Sequence, residues 1–160
     1  MRTIIHDLEN KLSFNAEDKI ISALDCNNSC IGCFSCWIKH PKKCIFKDNF
    51  NHIVESLKKS NELVIISKCR YGCYSNEVKK VLERCISYVL PHFEIRNNEI
   101  HHKSRYKNKL NLSTYFYGKI DEKDKMCVDK LVKANAINLN VVDFKIKYVG
   151  NLKEIEKCIQ

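Results

Sequence analysis

Glycine and proline are both scarce, with 4 Gly and 2 Pro in 160 residues. This composition excludes a collagen-like fibre, a low-complexity linker and a chain built mainly of turns. No apolar run approaches the roughly 20 residues that a membrane helix needs. Charged residues occur among the first nine positions, where a secretory signal peptide would be apolar. We therefore expect a globular protein of helices and strands, located in the cytoplasm.

The length of 160 residues suits one domain, since a domain usually takes roughly 100–200 residues. We find no internal repeat and no linker, and we predict a single domain over residues 1–160. The net charge is +9, from 28 basic and 19 acidic residues. A basic surface attracts nucleic acid, an anionic membrane or a phosphorylated cofactor. Because no nucleic-acid motif accompanies the charge, we expect neither a nucleic-acid nor a membrane partner.

Strand and helix patterns alternate along the chain. Apolar runs predict strands at 3–8, 19–24, 63–66, 112–117 and 141–146, and helical periods follow Asp48, Ser75, Asp121 and Asn151. The helix after Ser75 is expected to continue until Pro91 stops it, and residues 94–109 read as a polar connection. The alternation predicts an α/β flavodoxin-like fold with a five-stranded parallel sheet in the order 2-1-3-4-5 and helices on both faces. The loops after strands 2, 3 and 4 should open on one edge, where such folds bind ligands.

Ten cysteines are many for a chain without a signal sequence, so metal, cluster or redox use is favoured over disulfides. Four of them follow the pattern C-x2-C-x2-C-x7-C: Cys30, Cys33, Cys36 and Cys44. Four thiolates at this spacing would hold an iron–sulfur cluster or a zinc ion. The alternative is a cysteine-rich loop that packs beside a cofactor without binding metal. Cys69 and Cys73 are either a redox pair or plain small residues.

The cysteine segment Cys30–Trp37, followed by Cys44 and Lys47-Asp48, resembles the flavodoxin-like NAD(P)H-dependent FMN reductases and their iron–sulfur flavoprotein relatives. The resemblance continues through 71–75 and 78–84 to 101–106, and it spans roughly residues 30–118. It implies an oxidoreductase that uses FMN, takes electrons from NAD(P)H and passes them to a small-molecule or protein acceptor. It also implies a homodimer, and in some relatives four such cysteines hold a 4Fe-4S cluster.

The resemblance places the loop after strand 3 against the flavin ring. The cofactor-binding residues that it implies are Cys69, Arg70, Tyr71, Gly72, Cys73, Tyr74, Ser75, Trp37 and Gly118. Aromatic side chains at this edge, those of Trp37, Tyr71 and Tyr74, would also suit a dimer contact. A second group of His101, His102, Arg105 and Tyr106 either holds an anionic group or is simply solvated.

The loop after strand 1 departs from the family pattern, which has small residues and glycine that bind the FMN phosphate. Residues 6–13 contain no glycine, and Asp7 and Glu9 would repel a phosphate. Lys11, Ser13 or a basic residue from elsewhere would have to substitute. The alternative function is therefore a degenerate flavodoxin-like module that binds metal or a partner without flavin catalysis.

Overall fold

The computed structural model describes residues 1–9 and 13–159. Five parallel strands form the central sheet in the order β2-β1-β3-β6-β7: β1 Arg2–His6, β2 Lys19–Ser22, β3 Glu62–Lys68, β6 Asn111–Tyr117 and β7 Phe144–Val149. This is the predicted flavodoxin-like order, and the fold prediction is confirmed. The central strand β3 is buried on both faces through the run Leu63–Ile66, as its continuous apolar sequence predicts.

Helices cover both faces of the sheet. Helices α1 Ile53–Lys59, α2 Asn76–Glu83 and α3 Glu122–Leu139 pack on one face, and α4 Leu152–Ile159 packs on the other. The two apolar clusters alternate along each strand: Leu63 and Ile65 face the three helices, whereas Val64 and Ile66 face α4. The described residues between β1 and β2, 7–9 and 13–18, contain no helix. Within the described ranges, no helix is long and apolar enough to cross a membrane.

An antiparallel hairpin replaces the end of a predicted helix and the polar connection after it. The two strands are β4 Val89–Arg96 and β5 Glu99–Ser104, and α2 ends at Glu83 instead of reaching Pro91. Asn97 and Asn98 both have positive φ, 51° and 64°, which suits the two-residue turn favoured in hairpins. Pro91 lies where the strand register shifts, one of the few places where a strand tolerates proline.

Other element boundaries also differ from the sequence prediction, and two of these differences have a clear local cause. The last strand begins at Phe144 rather than at residue 141, because α3 continues to Leu139 and ends in a left-handed Asn140 with φ 51°. The first helix begins at Ile53, and Asp48 instead accepts a hydrogen bond from the Phe50 backbone N–H at 3.0 Å. Neither shift alters the strand order.

Candidate functional site

A polar crevice lies at the carboxyl ends of β1 and β3, the switch point at which the fold predicts a ligand. Its volume is about 380 Å³, and its lining residues are Asp7, Leu8, Glu9, Leu24, Lys68, Arg70, Ser75, Glu77 and Tyr117. Three carboxylates therefore face two cationic side chains. Of the predicted cofactor contacts, only Arg70 and Ser75 line the crevice. Lys68 and Tyr117 are not among the contacts predicted from the sequence. Each is the last residue of a buried strand, and that position is the signal that would have identified them. Lys11 lies outside the described residues.

Asp7 joins the ends of three strands. Its buried carboxylate accepts hydrogen bonds from the Lys68 backbone N–H at 2.9 Å and from the Tyr117 hydroxyl at 3.0 Å. Burial raises the pKa of Tyr117, and the nearby Asp7 carboxylate raises it further. The end of β1 thus presents an acceptor where the family loop presents phosphate-binding donors.

The loop after β3 is a tight turn packed against α3. Arg70 and Cys73 exchange backbone hydrogen bonds of 2.9 and 3.0 Å, which place Tyr71 at the tip with a positive φ of 53° and a side chain that is 98% exposed. A Cβ added at Gly72 would lie 2.5 Å from Cβ of Cys127. The absence of a side chain at Gly72 therefore lets the loop pack closely against α3, while the Tyr71 ring is free to stack on a ligand.

The other predicted contacts in this loop are largely structural. Tyr74 is buried and stacks on Phe116, with ring centroids 5.2 Å apart, and burial raises its pKa to about 12. The Cys69 thiol is also buried, and burial raises its pKa. The Ser75 hydroxyl caps α2 by accepting the Val78 N–H at 3.3 Å. Tyr74 therefore supports the loop from inside the core and is not a surface aromatic at a dimer contact.

Gly118 and Cys73 lie beside the crevice without lining it. Gly118 has a φ of 101°, a conformation that strongly favours glycine, and a Cβ there would lie 3.5 Å from Cγ of Lys68. Cys73 is half-buried at the end of the turn. Both residues shape the loops that border the crevice.

The four spaced cysteines line a different cavity, which we call the thiol cavity. Its volume is about 610 Å³ and it shares no lining residue with the crevice. Leu63 and Ile65 from the first half of β3 and Leu139 from the end of α3 also line it, so it lies toward the amino ends of the strands. The expectation that the loops after strands 2, 3 and 4 open on one edge is therefore wrong for the cysteine segment.

A buried ion pair explains the course of this segment. The Arg84 guanidinium, just after α2, donates two hydrogen bonds of 2.7 Å to the Asp48 carboxylate and is flanked by the rings of Phe46 and Phe50. The Arg84 side chain is fully buried. Burial by itself lowers the Arg84 pKa, but the Asp48 carboxylate together with the nearby Cys44 and Cys26 side chains raises it overall. In return, the hydrogen bonds from Arg84 lower the Asp48 pKa to about 2.

Trp37 provides a second anchor for the cysteine segment. Its indole Nε1–H donates to the Val89 carbonyl at 3.0 Å, and its ring packs on Phe34 and His102 with centroids 5.4 and 4.9 Å away. Trp37 therefore lies beside the thiol cavity and the hairpin, away from Tyr71 at the crevice. Trp37 and Arg84 together hold the 22 residues from Cys26 to Lys47 beside α2.

The four thiols line one cavity but do not form a ready metal site. Among residues 1–9 and 13–159, no group of three or more His, Cys, Asp or Glu side chains is arranged to hold a metal ion. Burial raises the pKa of the Cys36 thiol, so this thiol is neutral in the metal-free protein. The geometry does not support the predicted iron–sulfur cluster.

The predicted cationic group, on β5 and just after it, is dispersed. His101 contacts Glu99 and Asn138, Arg105 donates from Nε to the Ser87 carbonyl at 2.8 Å, and Tyr106 packs on Tyr88. His102 packs between Trp37 and Phe93 and lines the thiol cavity. These side chains do not converge on one anion site.

No protein-family model matches the chain. No curated protein matches it either. Among solved structures, the chain is similar to an FMN-dependent NADH-azoreductase from Bacillus anthracis str. Ames Ancestor in complex with FMN. The TM-score is 0.53 at 13% sequence identity, and the match covers 98% of this chain and 92% of that chain. At this identity, the likeness together with the strand order establishes a flavodoxin-like α/β fold for this chain.

Proposed function

We propose that the protein is an FMN-dependent oxidoreductase that takes electrons from NAD(P)H and passes them to a small-molecule or protein acceptor. The observation that carries the proposal is the crevice at the switch point of a flavodoxin-like sheet, with Lys68, Arg70 and Ser75 on its β3 side. The similar azoreductase was solved with FMN. Bound flavin would supply the redox chemistry, by accepting a hydride equivalent and returning two electrons to the acceptor.

One wall of the crevice fits the cofactor. Lys68 and Arg70 would balance the phosphate charge, and the Ser75 hydroxyl and the first turn of α2 would offer hydrogen-bond donors. The Tyr71 ring, 98% exposed at the tip of the adjoining loop, would stack on the flavin. These residues bind and orient the cofactor, and we assign no proton-transfer step to any of them.

Three carboxylates in the same crevice repel a phosphate. Asp7, Glu9 and Glu77 line the same crevice, so that it holds one more negative than positive side chain. Two unit charges roughly 8 Å apart in water interact by about 0.5 kcal/mol, and a dianionic phosphate doubles this figure. We therefore expect FMN to bind more weakly than it would without these carboxylates. Riboflavin has no phosphate, so its affinity should not depend on them.

A flavin titration of three charge-neutralising variants tests the proposal. Glu9→Gln and Glu77→Gln should each tighten FMN binding by about fivefold and leave riboflavin binding unchanged. Glu17→Gln is the matched control, since Glu17 is exposed and does not line the crevice. Quenching of flavin fluorescence gives the affinities, and NADH oxidation in the presence of FMN gives the activity. Protein that binds neither flavin would refute the proposal and favour the module without flavin catalysis.

The proposed activity includes no step through an iron–sulfur cluster, because the four cysteines are not arranged as a metal site within the described residues. Anaerobic purification followed by iron and sulfide analysis tests this point. We expect less than one iron per chain. Four iron atoms per chain, lost in Cys33→Ser, would contradict the arrangement of the thiol cavity.

We further propose that the chain forms a homodimer. Large apolar side chains are exposed on the cysteine segment and on the hairpin: Ile31, Phe34, Ile38, Phe93, Ile95 and Ile100. Exposed apolar side chains in such number favour a protein interface. Light scattering should give twice the mass of 18.8 kDa. A monomer mass at high protein concentration would exclude the dimer.

A further inference from the structure

The thiol cavity brings together four free cysteines that the proposed activity does not use. Cys30, Cys36 and Cys44 are half-buried, Cys33 is exposed, and all four line the cavity. Within the described residues they are not arranged to hold a metal ion. Two thiols pair in a disulfide where their Cα atoms lie roughly 4.4–6.8 Å apart. The course of the backbone therefore determines which two of the four are able to pair.

The backbone folds the loop from Cys36 to Cys44 back on itself. The Lys42 backbone N–H donates to the Cys36 carbonyl at 2.9 Å, and Cys44 follows two residues later. A second hydrogen bond, from the His40 N–H to the Ser35 carbonyl at 2.8 Å, tightens the same loop. A loop whose ends are already held together loses little further conformational freedom when a covalent bond closes it. The folded backbone thus favours Cys36 and Cys44 as partners.

Cys30 and Cys33 have no such connection. Among residues 1–9 and 13–159, neither of them takes part in a backbone hydrogen bond. Burial raises the pKa of the Cys36 thiol, and of the three other cysteines of the cavity Cys44 raises it most. Because the effect of one charge on another falls with distance, this order agrees with Cys44 as the partner of Cys36.

Contacts at both ends of the loop hold it in this position. Trp37, the residue after the first cysteine of the pair, donates its indole N–H to the Val89 carbonyl at 3.0 Å. Asp48, four residues after Cys44, accepts two hydrogen bonds of 2.7 Å from the buried Arg84 guanidinium. These contacts involve neither thiol, so the loop keeps its anchors while the two sulfur atoms pair.

We propose that Cys36 and Cys44 form a dithiol site that a low-molecular-weight disulfide, such as oxidised glutathione, converts to an intramolecular disulfide. The thiolate of one cysteine attacks the S–S bond of the reagent, forms a mixed disulfide and releases one thiolate. The thiolate of the other cysteine then attacks the protein sulfur of the mixed disulfide and releases the second. Two protein thiols are oxidised, one reagent disulfide is reduced, and the two protons of the cysteines pass to the released thiolates.

The disulfide would close a ring of nine residues, from Cys36 to Cys44, on the wall of the thiol cavity. The ring includes Trp37, which packs on His102 of the hairpin, and the exposed side chain of Ile38. Because a cross-link restricts the unfolded chain, the oxidised protein should have a Tm higher by about 5 °C. The redox state of the pair therefore controls how firmly this segment is held. The site shares no residue with the flavin crevice and does not depend on flavin.

Equilibration of the reduced, flavin-free protein with one molecule of oxidised glutathione per chain tests the proposal. Two of the ten thiols should be lost, and the intact mass should fall by that of two hydrogen atoms, with no glutathione attached. Digestion with trypsin and chymotrypsin separates the partners into the peptides Ser35–Trp37 and Cys44–Phe46, which should be joined. The fluorescence of Trp37, the only tryptophan, should fall on oxidation and recover with dithiothreitol, because a disulfide quenches an adjacent indole.

Serine variants identify the pair. Cys36→Ser and Cys44→Ser should each reduce the cross-linked fraction at least tenfold and retain one glutathione on the remaining cysteine, because the second attack has no thiolate. Cys30→Ser and Cys33→Ser are the matched controls, since both residues line the same cavity. Both controls should form the disulfide as the unchanged protein does.

Several outcomes would overturn the proposal. A link between any other two cysteines shows that the pairing is wrong, and separate glutathione adducts on Cys36 and Cys44 show that the two thiols do not meet. A protein that keeps all its thiols reduced in excess oxidised glutathione has no such site. The peptide map of the unchanged protein decides the pairing even if a serine variant does not fold. Because no flavin is present, the result is independent of the proposed activity.

Discussion

Two buried ion pairs in this protein have opposite patterns of exposure, so the more destabilising substitution should fall on the aspartate in one pair and on the arginine in the other. In the Arg84–Asp48 pair the arginine side chain is 0% exposed and the aspartate 24%. In the Arg2–Asp18 pair the arginine is 22% exposed and the aspartate only 4%. Removing one partner leaves the other behind, and the cost depends on whether the remaining charge reaches water.

At neutral pH, Asp48→Ala leaves a fully buried guanidinium without its carboxylate, and we expect a loss of about 3–5 kcal/mol in the free energy of unfolding. Arg84→Met fills a similar volume and leaves a carboxylate that water reaches, so its cost should be about 1–2 kcal/mol. The order reverses in the other pair. Arg2→Met should cost more than Asp18→Ala, because Asp18 is the buried member.

Urea unfolding of the four variants, followed by far-UV circular dichroism, measures these costs. If the arginine variant loses more stability in both pairs, or the aspartate variant does so in both pairs, the reasoning is refuted. The pH dependence gives a second check. The Asp48 pKa is lowered from 3.8 to about 2, so its contribution is present above pH 4 and is lost as the pH falls toward 2. After solvent screening, this contribution is about 1–2 kcal/mol, and it should be much smaller in Arg84→Met, where only the hydrogen bonds from Asn28 and the Phe50 N–H remain.

Two further predictions concern the loop after β3 and the core. Gly72→Ala should destabilise the fold by about 1–3 kcal/mol more than Gly32→Ala, because both glycines have a positive φ but only the Cβ at Gly72 meets α3; equal thermal shifts in the two variants would contradict this packing. Burial raises the Tyr74 pKa from 10 to about 12, so its contribution to stability is complete below pH 10 and is lost as the pH rises through 12. The loss of stability between pH 10 and 12 should therefore be shallower in Tyr74→Phe, and an unchanged slope in chemical denaturation would show that Tyr74 ionises freely.

The sequence by itself determined the parallel sheet. The run Leu63–Ile66 is apolar at every position, which is typical of a strand buried on both faces, and the alternation with helices allows few strand orders. The crevice at the ends of β1 and β3 follows from that order alone. The sequence prediction missed the hairpin because residues 94–109 are mostly polar and read as a connection, and the Asn97–Asn98 turn was the one local signal for two paired strands there.

Only the tertiary structure decided where the cysteine segment goes. Its spacing indicates which thiols can turn toward one another, but the loop after β2 is long enough to lie at either end of the sheet. The contact of Arg84 with Asp48, 36 residues apart, and that of Trp37 with Val89, 52 residues apart, place it along α2. Such pairs join residues that no local pattern connects, because burial of a charge and of an indole N–H depends on what the rest of the fold brings beside them.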